Sequence, residues 1–169
     1  MKLKNLILPI ILLVAASSVQ AAPNKDNGRK PMVKMVKIKN TTGKPIKARV
    51  VFNFRAEKND IDPKSKEVQG DVKTTVDIQP GDTATFDATK AKPIKGSDKD
   101  QMLIKRLVGL KDISVSKIVA GGASKDFSKN KKGGTHHNRF EVGTEKTASG
   151  KTSTILSKVM DNGSLKKVE

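Results

Sequence analysis

Alternation of apolar and polar residues runs through the chain after residue 31 and predicts a β protein. Val36 and Ile38 lie between Lys37 and Lys39, the period of a half-buried strand. Asn40-Thr41-Thr42-Gly43-Lys44-Pro45 supplies turn chemistry. Ile46 to Arg55 is the strongest strand. Ala48, Val50, Phe52 and Phe54 share one face, Arg49, Asn53 and Arg55 the other, and Val51 alone is out of step. Two such runs joined by a Gly/Pro turn predict adjacent antiparallel strands.

Residues 56–71 are polar, with Pro63 and Gly70, and predict a loop. Val72, Thr74, Val76 and Ile78 resume the alternation. Gln79-Pro80-Gly81-Asp82 predicts a type II turn, because Pro presets the second position and Gly supplies positive φ at the third. Thr83 to Asp87 is then the return strand, and 88–100 a further loop. Residues 101–110 fit a strand through Met102, Ile104, Val108 and Leu110. The strand is the first reading; a short helix, near 98–108, is the alternative, with Leu103 and Leu107 on its face and a capping box from Ser97 to Asp100.

Asp112 to Val119 reads as a strand with Ile113, Val115 and Val119 inward and Lys117 out of step. Residues 120–137 read as a glycine-rich loop, followed by a short strand through Phe140. Thr152 to Met160 and Ser164 to Val168 flank Asp161-Asn162-Gly163, a strong hairpin signal that predicts a type I′ turn. Seven to nine short strands result. Their spacing predicts an all-β fold, an antiparallel β-sandwich of immunoglobulin-like type rather than a barrel.

The first 21 residues depart from this pattern. Lys2 and Lys4 precede an apolar run of 11 residues from Leu6 to Ala16, and Val19-Gln20-Ala21 provides a cleavage site. This reads as a signal peptide (1–21) cut after Ala21. The run is about half the ~20 residues of a membrane span, so no transmembrane segment is expected after cleavage. A polar, flexible leader (22–31) and a single sandwich domain (32–169) follow. The expected destination is the periplasm or the exterior.

Composition sharpens the picture. The chain has 169 residues and a net charge of +17, which falls to +15 once Lys2 and Lys4 leave with the signal peptide. Cysteine is absent, which excludes disulfides, thiolate metal sites and a lipid-modified cysteine. Trp and Tyr are absent and only five Phe occur, which disfavours stacking on sugars or single-stranded nucleic acid.

Candidate chemistry is sparse. Glu145 to Thr152 (Glu-Lys-Thr-Ala-Ser-Gly-Lys-Thr) approaches a phosphate loop, but Glu145 stands where its first glycine belongs, so no nucleotide is expected. The Ser-x-x-Lys pairs Ser114/Lys117, Ser128/Lys131 and Ser164/Lys167 recur by chance in a lysine-rich chain, and on a strand they face opposite ways. His136 and His137 read as surface-loop residues without further ligands nearby. Asp60 and Asp62 suit a turn. No catalytic residue, metal or cofactor is expected, and the chain does not read as an enzyme.

Charge is what remains. Lys125, Lys129, Lys131, Lys132 and Arg139 form the expected polyanion-binding group, on a loop that its glycines keep mobile. Lysine far outnumbers arginine, favouring diffuse attraction over geometry-specific forks. The expected partner is an anionic polymer or envelope surface. The alternative is a structural or assembly protein of the envelope that pairs through an edge strand, either Val33 to Lys39 or Ser164 to Glu169.

Overall fold

The computed structural model describes residues 32–56, 68–95, 110–129 and 134–168. The expected signal peptide and leader, the expected 98–108 helix or strand, and Lys131 and Lys132 lie outside the described residues. Ten strands are found among those described: β1 (Met35–Asn40), β2 (Ile46–Ala56), β3 (Val68–Ile78), β4 (Thr83–Asp87), β5 (Lys92–Lys95), β6 (Leu110–Ala120), β7 (Ala123–Asp126), β8 (Arg139–Lys146), β9 (Thr152–Val159) and β10 (Leu165–Lys167). They form two five-stranded sheets, ordered β10-β9-β8-β1-β4 and β5-β3-β2-β6-β7. Pairing is antiparallel except between β1 and β8, which run parallel. The architecture is all-β and consistent with a β-sandwich. Among the described residues no helix is long and apolar enough to cross a membrane.

The core follows from the alternation. Val36 and Ile38 of β1, Phe86 of β4, Phe140 and Val142 of β8 and Leu156 of β9 cover one inner face. Ala48, Val50, Phe52 and Phe54 of β2, with Ile113, Val115, Ile118 and Ala120 of β6, cover the other. All five phenylalanines are exposed by 2% or less, so none offers a stacking platform.

Several expectations are corrected. The strand count exceeds seven to nine because β5 and β7 occupy segments read as loops; β2 and β3 also extend into 56–71, which lengthens them. β1 and β2 are not hairpin partners: they lie in different sheets. The Gln79–Asp82 turn forms, with Gly81 at φ 82° and the Asp82 N–H donating to the Gln79 carbonyl, but it too changes sheets. Alternation marks which residues face inward; it carries no information on which sheet a strand joins.

Asn40 organises this end of the sandwich. It is 0% exposed. Its amide donates to the Lys44 and Ile78 carbonyls at 2.8 and 3.0 Å, and its Oδ1 accepts from the Thr42 N–H and hydroxyl. The Gly81 N–H donates to its carbonyl. One side chain thus links the β1–β2 crossing to the strand before the β3–β4 turn.

The two out-of-step residues face each other. Val51 pairs with Lys117, while Phe52 pairs with Val115, which leaves Ser116 as the extra residue of a β-bulge. The Ser116 hydroxyl donates to the Val51 carbonyl. The bulge resets the inward phase of β6, so that Ile118, not Val119, enters the core.

The hairpin turns also differ in type. Ala120 pairs with Ala123 across Gly121 and Gly122, both at positive φ (59° and 97°), which is type I′ geometry. The terminal hairpin forms as expected, but Gly163 (φ 79°) donates to the Met160 carbonyl and so follows the two central residues, making a three-residue loop. Thr147 to Lys151 is closed by the same bonds, so the phosphate-loop look-alike is the β8–β9 hairpin turn.

Candidate anion-binding surface

The glycine-rich segment expected to be a mobile basic loop is in part an edge strand. Lys125 lies on β7, opposite the buried Ile118, and so has inward phase at the edge of its sheet. Lys129 is exposed in the turn after Phe127. That turn is fastened by Asp126, whose Oδ1 accepts from the Ser128 N–H and hydroxyl. These bonds, the hydroxyl's foremost, hold the Asp126 carboxyl below its ordinary value of 3.8, with Lys117 and Lys129 adding to the effect. Arg139 begins β8 and is exposed opposite Lys37, which lies on the outer face of the other sheet. Lys125 and Arg139 therefore border different clefts.

The first cleft opens between the sheets, where β7 faces the β9–β10 hairpin. Lys158 sits opposite both Phe140 and Lys166. Because Phe140 is buried, Lys158 and Lys166 share the inward phase. They line a cleft of about 530 Å³ with Lys125, Lys167, His137, Phe127, Met160 and Val168. The Lys158 ammonium lies 5.8 Å from the centroid of the Phe127 ring. Phe127 packs against Phe140 at 6.1 Å, and His137 stands edge-on to Phe140 at 5.3 Å. Lys167 pairs with Glu145. Among the described residues no carboxylate lines this cleft.

The two histidines point to different tasks. His136 Nε2 lies 2.8 Å from the Asp112 carboxylate, and Thr135 exchanges backbone hydrogen bonds with Val115, so this segment is tied down on β6. His137 Nε2 is buried and has no hydrogen-bond partner. Both residues lie in the segment before β8, outside any strand as expected, and are half-buried rather than exposed.

The second cleft, about 600 Å³, lies on the outer face of the β1–β8 pair and includes Lys37, Lys39, Arg139, Glu141, Met35 and Val159. The β9–β10 hairpin borders both clefts, the first through Lys158, Met160 and Lys166 and the second through Val159 and Gly163, so the basic residues of the two clefts flank it as one band. It contains two cross-strand cation pairs, Lys37 opposite Arg139 and Lys158 opposite Lys166. A third such pair, Lys73 opposite Lys92, is on the other sheet. Like charges placed directly opposite destabilise a sheet.

Sequence reading missed Lys158 and Lys166, and set His137 aside as a surface-loop residue. The first two carry a usable signal: Lys158 follows Leu156 by two residues and Lys166 precedes Val168 by two, so each shares phase with an apolar neighbour. Among the described residues no three of His, Asp and Glu gather as a metal would require. Comparison with known protein families, curated proteins and solved structures finds no match.

Proposed function

We propose that this protein is an exported binding module, not an enzyme, that holds anionic polymers or envelope surfaces on its basic band. The observation that carries this reading is the inter-sheet cleft. Lys125, Lys158 and Lys166 occupy inward-phase positions there, and no described carboxylate pairs with them. Clustered cations in a concave, partly apolar site raise the local potential and concentrate anions. The burial of every phenylalanine is in keeping with recognition by charge rather than stacking. The finer fold reading is an immunoglobulin-like sandwich. It is supported by four connections that change sheets: β1–β2, β3–β4, β4–β5 and β7–β8.

Edge-strand assembly is the weaker reading. β1 is interior, flanked by β8 and β4, so Val33 to Lys39 has no edge to offer. β10 is a true edge, but it has three residues and carries Lys166 and Lys167, a guard against pairing.

Chromatography on heparin or phosphocellulose tests the proposal. Retention is expected at low salt and to be lost by ~0.5 M, as counterion release requires. Retention that does not change over that range overturns it.

A further inference from the structure

We propose that the inter-sheet cleft is a site for a compact, multiply charged phosphate group, a phosphomonoester or diphosphate. The inference rests on the anion-binding reading and assigns its ligand class. Three lysines converge on one cleft from three strands, Lys125 from β7, Lys158 from β9 and Lys166 from β10. The fourth, Lys167, is engaged by Glu145. A sulfate ester or a carboxylate brings one negative charge per group. A phosphomonoester brings close to two, on three oxygens, and so matches convergent ammonium donors best.

Two further observations fit the same class. His137 lines the cleft with a ring held edge-on to Phe140, and its Nε2 has no hydrogen-bond partner. Buried polar atoms are seldom left so, and those that are call for a reason. The volume, about 530 Å³, exceeds what inorganic phosphate needs. Phe127, Met160 and Val168 give the remaining space an apolar wall, which suits the body of a phosphorylated sugar or lipid.

Inward lysines on edge strands also guard a sheet against pairing. That role alone gives no saturable anion site, and the two are separable by titration. Pyrophosphate is titrated into the full chain at fixed ionic strength, with methyl sulfate, a singly charged sulfate ester, as control, followed by calorimetry and by the His137 ring resonances. Saturable one-to-one binding that moves those resonances is expected, with methyl sulfate much weaker. Lys158→Gln combined with Lys166→Gln weakens it by about tenfold or more, while Lys73→Gln, on the other sheet and outside the basic band, leaves it unchanged. Competition by glucose 1-phosphate marks a saccharide source, and competition by phosphatidic-acid vesicles a lipid source.

Pyrophosphate that acts no differently from methyl sulfate overturns the inference, as does affinity untouched by the double substitution or competition by neither phosphate source. If salt-dependent retention on heparin persists in that case, the general anion-binding reading stands and only the ligand class falls. A thermal melt of each variant confirms that it is folded.

Discussion

Lys158 and Lys166 stand directly opposite each other across the last hairpin, both with inward phase. A fold selected for stability alone would place a carboxylate at one of these positions. Lys166→Glu is therefore expected to stabilise the domain at low salt by about 0.5–1 kcal/mol and to weaken its retention on heparin. Chemical denaturation with parallel chromatography reads both effects. A variant that is less stable, or that binds heparin as well as the parent, contradicts the assignment of this pair to binding.

Asn40 supplies a second test, at the opposite end of the argument. Its buried amide satisfies two carbonyls, those of Lys44 and Ile78. Asn40→Asp keeps the shape but removes both donors and introduces an acid at a position 0% exposed. A loss of about 2–4 kcal/mol is expected, measured by urea unfolding. A near-neutral result would mean that the β1–β2 crossing does not depend on this side chain.

Gly134 packs where a side chain does not fit. A Cβ there would collide with the Ser114 hydroxyl and lie 3.0 Å from the Val115 carbonyl oxygen. Gly134→Ala is expected to cost about 1–3 kcal/mol through overpacking and to displace the adjoining Thr135–His137 segment. Unfolding and the line widths of the His136 and His137 resonances check this. Unchanged stability would show that the segment is free to move away from β6.

Asp126 predicts a pH effect of defined sign. Its carboxyl is held below 3.8 in the folded protein, first by the Ser128 hydroxyl and then by the Ser128 N–H. A depressed folded pKa stabilises above the unfolded value, and that stabilisation is lost as pH falls from the ordinary carboxylate range through the lower folded value. The Asp126 carboxyl carbon should titrate with a midpoint below 3.8, and Ser128→Ala should raise that midpoint. A midpoint at or above 3.8 in the parent contradicts the hydrogen bonds assigned here.

The inner faces of this fold were legible in the sequence, and its pairings were not. Val36, Ile38, Ala48, Val50, Phe52 and Phe54 are buried as their alternation predicts. That β1 and β2 belong to different sheets could not follow from the same pattern, because both strands are half-buried in either arrangement. Val51 and Lys117, each out of step, are the two sides of one bulge; the anomaly was visible but its meaning needed the partner strand. Gly121-Gly122 read as loop flexibility and proved to be a tight turn, because two adjacent glycines serve both purposes. The basic site was half legible. Lys125 and Arg139 were identified by local charge density, which cannot bring in Lys158 and Lys166 from strands far along the chain.

The most direct test of the central claim is the salt dependence of binding to a heparin fragment. It compares the parent with a variant carrying Lys125→Gln, Lys158→Gln and Lys166→Gln. If these three lysines hold the anion, affinity falls and the slope of log K against log salt becomes shallower by about 3. Matching slopes would place the contacts elsewhere on the basic surface and contradict the cleft as the binding site.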